Sequence, residues 1–260
     1  MTPTPALSAP TLEVVNLSHA YGTRNVLDGV SLGVAAGEVV AILGTSGAGK
    51  TTLFRCITRL VHADTGSVVL GGQDLSGLEV GELRRARRNV SLVFQQFNLV
   101  RRLSALDNVI AGHLAELPTW RVVARRPGPA VRADALDCLD QVGLADHARS
   151  RADRLSGGQQ QRVAIARALA QRSRVVLADE PVSSLDPSSS ATVLAALRSI
   201  AHSERIAVLC NLHQVELIRG FADRVLGLRS GKLVVDVAAS DFDESHRALV
   251  YGEREPSPRP

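Results

Sequence analysis

The chain has 260 residues, 45% of them hydrophobic, and a formal net charge of +4 from 30 Lys and Arg against 26 Asp and Glu. Those values suit a globular protein built as one large α/β domain, alone or with a small subdomain. Cys56, Cys138 and Cys210 are far apart with no C-x-x-C pair, which argues against a zinc site or disulfide framework and fits a reducing compartment. No apolar run approaches the ~18 residues of a bilayer span, and residues 1–10 lack the basic start and apolar core of a secretory signal. Membrane association is therefore expected to come through a partner.

Residues 1–10, rich in Pro, Ala and Thr, are expected to form a disordered tail. Residues 12–17 and 26–32 read as strands, with Tyr21 before Gly22 between them, so the chain opens as an antiparallel β layer. Val39–Leu43 is a short continuous apolar run, as in a strand buried on both faces. Residues 52–62 read as a helix and 67–70 as a strand, turned at Gly71-Gly72. Residues 79–88 form a basic helix with Arg84, Arg85, Arg87 and Arg88. Such a run could meet nucleic acid or lipid headgroups, but a solvated helix face is the reading preferred. Residues 90–94 are a strand ending at Gln95-Gln96. Helical periodicity follows at 104–117 and 131–142, interrupted by Pro118, Pro127 and Pro129 with Trp120 in the break. Residues 96–153 thus read as a helical insertion. Then come a helix at 159–170, a strand at 174–178, a helix at 187–202, a strand at 206–211 and a helix at 215–222. Two short strands, 225–228 and 232–235, flank the Arg229-Ser230-Gly231 turn, and residues 252–260 read as a second tail. Strands alternating with helices predict a mostly parallel sheet covered on both faces.

Gly44-Thr45-Ser46-Gly47-Ala48-Gly49-Lys50-Thr51 is a complete G-x-x-x-x-G-K-[ST] phosphate loop, set between a predicted strand and a predicted helix. Its glycines let the backbone curl until successive N–H groups point at phosphate oxygens. The helix N-terminus adds partial positive charge. Lys50 can reach the β- and γ-phosphates, and the Thr51 hydroxyl can ligate Mg²⁺. Asp179-Glu180 ends an apolar strand, where α/β folds bind ligands. Asp179 is placed to hold Mg²⁺, directly or through water, and Glu180 to activate the attacking water. Leu155-Ser156-Gly157-Gly158-Gln159 opens another helix and offers a second phosphate site. Two such sites in one chain make sense if nucleotide is sandwiched between the loop of one subunit and the Ser156 motif of another.

In order and spacing, these three motifs resemble the ATP-binding-cassette ATPases, and the resemblance covers residues 12–250. It implies ATP and Mg²⁺ as ligands and the α/β P-loop fold of that family: a mostly parallel core sheet, an antiparallel β subdomain and a helical subdomain within residues 11–251. Tyr21 resembles the aromatic that stacks on adenine. Gln95 resembles the glutamine that reaches Mg²⁺ and the attacking water. Ser184-Leu185-Asp186 resembles the loop joining the two subunits' sites, and His213 the histidine that contacts the γ-phosphate. The implied nucleotide set is Tyr21, Gly44 through Lys50, Thr51, Thr52, Ser156, Gly157, Gly158, Gln159 and Asp186. The implied metal set is Thr51, Gln95 and Asp179, and the implied catalytic set Glu180, His213 and Gln95.

Val93-Phe94-Gln95-Gln96-Phe97-Asn98-Leu99-Val100, Pro118-Thr119-Trp120-Arg121 and Asn211-Leu212-His213-Gln214-Val215 resemble the phosphonate-importer branch of that family. The proline- and arginine-rich stretch 122–130 departs from it. The resemblance implies a homodimer of ATPase subunits on the cytoplasmic face of the inner membrane. It also implies two permease subunits, a periplasmic or lipid-anchored phosphonate-binding protein, and no nucleic acid. Polar amino acids or another oxyanion, such as phosphite or phosphate, are the alternative cargo. A DNA- or ribosome-directed cassette is the remaining reading.

Overall fold

A computed structural model describes residues 10–115 and 127–252. Both expected tails, apart from Pro10 and Gly252, lie outside the described residues, as do Pro118, Trp120 and most of 122–130. The chain opens with an antiparallel hairpin of β1 (Leu12–Tyr21) and β2 (Arg24–Val34). Leu12, Val14 and Leu17 all face inward, which a strand of strict period two forbids. A bulge resolves the conflict: the register shifts between Val14 and Leu17, and Asn16 takes a left-handed φ of 47°.

β3 (Val39–Leu43) follows, then α1 (Lys50–Ile57), β4 (Thr65–Leu70), β5 (Gln73–Asp74), α2 (Val80–Ala86) and β6 (Val90–Phe94). α3 (Ala105–Ile110), α4 (Pro129–Gln141) and α5 (Gly157–Ala170) come next. The chain closes with β7 (Val175–Asp179), α6 (Pro187–Ser203), β8 (Ala207–Asn211), β9 (Arg224–Arg229), β10 (Lys232–Ala238) and α7 (Glu244–Tyr251). β2-β1-β4-β5 form an antiparallel sheet. The second sheet runs β10-β9-β3-β8-β7-β6, parallel throughout except at the β10 edge. Parallel pairing brings the C-terminal ends of β3, β6, β7 and β8 to one edge, and the loops that leave there carry the site.

β3 is buried at every position, and its two faces serve different cores. Val39, Ala41 and Leu43 pack on the helical side with α3, α4, α5 and α6, while Val40 and Ile42 pack toward the antiparallel sheet and α1. α3 and α4 pack on α5 to form a helical layer. Among the described residues, no helix is long and apolar enough to cross a membrane.

The segment after β6 is tied to that layer. Phe97 and Asn98 both take left-handed φ, 54° and 48°, a conformation that non-glycine residues rarely adopt. Arg167 of α5 donates to both carbonyls, to Asn98 at 2.6 Å and to Phe97 at 3.3 Å. Burial pushes the Arg167 guanidinium below its ordinary pKa. Hydrogen bonds from a charged donor are worth about 1.5–3 kcal/mol. Arg167→Ala is therefore expected to lower the unfolding free energy by about 2 kcal/mol, read from the denaturant midpoint at unchanged slope.

Several elements differ from the sequence expectation. The first helix stops at Ile57 rather than residue 62 because Arg59 turns left-handed (φ 52°) and Leu60 and Val61 bond back to the Arg55 carbonyl. Arg87, expected on a solvated face, spends its guanidinium on the Thr58 and Arg59 carbonyls at 2.8 and 2.7 Å. Residues 215–222 hold one 3₁₀ turn, Val215–Leu217, instead of a helix. Its apolar spacing comes from Ile218, Phe221 and Ala222 plugging the core. Gly220 breaks the path at φ +76°, and Arg198 holds the Phe221 carbonyl. α7 was not expected; it is started by Asp243, which accepts from the amides of Ser245 and His246.

Candidate functional site

The loop between β3 and α1 is pressed against its neighbours. A Cβ added at Gly44 would lie 2.4 Å from the Leu228 carbonyl oxygen, and one at Gly49 would lie 2.6 Å from that of Val26. Gly47 and Gly49 hold φ of +79° and +109°. Gly49 caps α1 with no side-chain bond to the first-turn amides, which leaves those donors to the site. Lys50 is 5% exposed. Its Nζ donates to the Gly44 carbonyl at 2.7 Å and the Thr45 carbonyl at 3.0 Å, so one of its three hydrogens remains for a ligand. Burial pushes the ammonium below its ordinary pKa, and the Glu180 and Asp179 carboxylates oppose that shift.

The acidic pair stands at the end of β7. Asp179 Oδ1 accepts from Asn211 Nδ2 at 2.7 Å. Glu180 Oε1 lies 2.6 Å from His213 Nε2. Glu180 has a left-handed φ of 52°, and the turn is held by the Glu180 amide donating to the Asn211 carbonyl and by Ser183 donating to the Glu180 carbonyl. Gln95 follows β6, whose last residue Phe94 pairs with Asp179 across the sheet.

These groups converge. One cavity is lined by Tyr21, Arg24, Ser46, Gly47, Ala48, Gly49, Lys50, Thr51, Thr52, Glu180, Asn211 and His213, among others. A second, lined by Thr51, Gln95, Asp179 and Glu180 among others, shares Thr51 and Glu180 with it. Tyr21 is 48% exposed and packs edge-on to His19 at 4.6 Å. Thr51, Gln95 and Asp179 bring a hydroxyl, an amide carbonyl and a carboxylate to one cavity. Hard oxygen donors with a single carboxylate suit Mg²⁺ that is also held by substrate phosphates.

Ser156, Gly157, Gly158, Gln159 and Asp186 line neither cavity. They gather instead at the start of α5 and α6. Ser156 and Gln159 form a reciprocal cap, with bonds of 3.3 and 2.9 Å. A Cβ on Gly157 would meet Leu185 at 3.0 Å, and one on Gly158 would meet Ser189 at 3.0 Å. Asp186 caps α6 through the Ser189 amide at 2.9 Å, and its bonds to Ser189 hold its carboxyl below the usual range. Arg24 and Asn211 line the site although the sequence assigns neither a role; Asn211 enters there only as the first residue of the Asn211–Val215 run. Asn211 had one available signal: a polar side chain closing an otherwise apolar strand beside the acidic pair.

A glycine cradle at a helix N-terminus, faced by carboxylates at the end of a parallel sheet, defines a nucleoside triphosphatase of the phosphate-loop class. A sequence model of the ABC transporter family matches residues 27–183, and the chain belongs to that family as one of its ATP-hydrolysing subunits. It is similar to a hypophosphite import ATP-binding protein of Stutzerimonas stutzeri, 47% identical over 240 residues that cover 92% of this chain and 70% of that one. A phosphonates import ATP-binding protein of Frankia casuarinae is 51% identical over 236 residues, 90% of this chain and 93% of the other. Among solved structures, the dimeric post-hydrolysis state of the ATP-binding cassette MJ0796 bound to ADP and Pi superposes with a TM-score of 0.74 at 31% identity. That match covers 89% of this chain and 100% of its counterpart.

Proposed function

We propose that two copies of this chain hydrolyse ATP at their shared interface and so drive phosphonate uptake across the inner membrane. The observation that carries this reading is the separation within one chain: the Ser156 motif lines neither cavity that the phosphate loop and acidic pair build. A second copy supplies the missing half, Ser156 and the glycine N–H groups of one copy facing Lys50 of the other, with Asp186 at the seam. The dimeric MJ0796 cassette supports that arrangement. Residues 11–251 form the ATPase domain, with a helical subdomain at about 96–153 and tails on either side. The copies sit on the cytoplasmic face, held by two permease subunits that rest on the helical layer near Gln95. A periplasmic or lipid-anchored binding protein delivers the cargo, and no nucleic acid is involved.

In the reaction, Lys50 and the loop amides hold the β- and γ-phosphates, and Thr51, Asp179 and Gln95 would hold Mg²⁺, which would supply charge neutralisation at the phosphate oxygens. Gln95 orients a water in line with the γ-phosphorus. Glu180 takes its proton as the new P–O bond forms and the bond to ADP breaks. His213 steadies Glu180 through the 2.6 Å contact, and its ring meets the γ-phosphate in the same cavity. Tyr21 stacks on adenine, and such stacking is worth about 1–3 kcal/mol per base. Tyr21→Ala is expected to weaken ATP binding about tenfold, measured by nucleotide titration; unchanged affinity would remove Tyr21 from the site.

The cargo reading is supported by relatives at 43–51% identity that are named for phosphonate import. The hypophosphite-import relative at 47% favours a second reading, another phosphorus oxyanion. Vesicles holding the permease, this chain and the binding protein separate the two. ATP hydrolysis should rise with phosphonate-loaded binder; a rise with hypophosphite alone would replace the cargo and keep the engine.

A further inference from the structure

Asn211 ends β8 directly opposite Asp179 in the parallel register, and none of its surface is exposed. Its Nδ2 donates to Asp179 Oδ1 at 2.7 Å, and its main-chain carbonyl accepts from the Glu180 amide at 3.2 Å. One residue thus grips both members of the acidic pair. The carboxylate also fixes the amide's orientation, because the reversed amide would set oxygen against oxygen. That leaves Asn211 Oδ1 buried with no partner among the described residues, while the residue lines the cavity shared with Lys50, Thr51 and His213.

A buried acceptor beside a polar cavity calls for a donor. The ionised oxygens of the triphosphate only accept, so the part of ATP that the phosphate loop holds cannot satisfy it. A water in the shell of a hard cation is a strong donor. We infer that Asn211 is a positioning residue of the magnesium site: Nδ2 holds Asp179 Oδ1 so that the other carboxylate oxygen faces the metal, and Oδ1 accepts from a metal-bound water. This inference rests on the proposed role of Asp179 toward Mg²⁺. Groups that orient metal ligands in this way change metal affinity by about 10–100-fold when removed.

The test compares nucleotide affinity with and without metal. A non-hydrolysable ATP analogue is titrated into the full chain in EDTA and in Mg²⁺, and bound Mn²⁺ is followed by its EPR spectrum. Asn211→Leu keeps the branching at Cγ and removes both polar atoms. It is expected to leave the EDTA affinity within about twofold, to loosen the metal complex about tenfold, and to alter the Mn²⁺ spectrum. Asn211→Ser is too short to bridge both partners and carries the same expectation if the Leu variant does not fold. Unchanged metal dependence would overturn the inference, and so would an equal loss in EDTA and Mg²⁺. Asp179→Asn runs alongside. If that variant keeps full metal dependence, the failure lies in assigning Asp179 to the metal, which is a different result from an intact Asp179 effect with a silent Asn211.

Discussion

Glu180→Gln is expected to cut ATP turnover by about 10²–10⁴-fold, the usual contribution of a positioned general base, while nucleotide affinity stays within about twofold. The substitution keeps shape and removes basicity. The amide can still meet His213 across the 2.6 Å contact, and the backbone turn held by the Glu180 amide and carbonyl is untouched. Lys50 loses one of the two carboxylates that support its charge but keeps Asp179. With ATP bound and not consumed, the variant is expected to accumulate as a nucleotide-bound dimer, seen as a doubled mass by light scattering with ATP and Mg²⁺. Turnover at the wild-type rate would refute the base; a monomer under all nucleotide conditions, permease present, would refute the shared site.

Gly49→Ala is expected to weaken ATP binding about 100-fold with the fold retained. The residue sits at φ +109°, and its new Cβ would lie 2.6 Å from the Val26 carbonyl oxygen. Backbone strain of this kind costs about 1–3 kcal/mol, and about 1.4 kcal/mol is tenfold in affinity. The contact with backbone adds to the strain, because a carbonyl in β2 cannot step aside as a flexible side chain would. The strain falls on the loop and not on β3, whose buried residues stay as they are. Gly72→Ala is the control. It has a comparable φ of +85° but nothing within 4 Å of the added carbon, so it should leave ATP affinity unchanged. Equal losses in both variants, or in neither, would show that the close approach to β2 does not shape the phosphate site.

Much of the site was legible because its chemistry is local. Residues 44–51, 155–159 and 179–180 are contiguous strings whose proposed roles follow from backbone geometry at a strand end or helix start. The central strands were legible for a similar reason: a run such as Val39–Leu43 has few places to go except between two layers. What escaped depends on contacts distant in sequence. Asn211 becomes a site residue only through the register that sets it against Asp179. The bulge at Asn16 shows in sequence only as a flaw in alternation. Residues 215–222 have helical spacing because three apolar side chains fill one core, not because the chain makes turns of helix. α7 carried a readable start at Asp243, yet its single buried position, Val250, gives too weak a stripe to read as a helix.

The two bonds from Arg167 have a mechanical consequence. They join the stretch just after Gln95 to the last turn of the helix that Ser156 begins. A displacement of either is therefore expected to carry to the other, like the two arms of one rocker. In the proposed dimer, the permease-facing stretch near Gln95 and the Ser156 motif of each copy are then expected to shift in step.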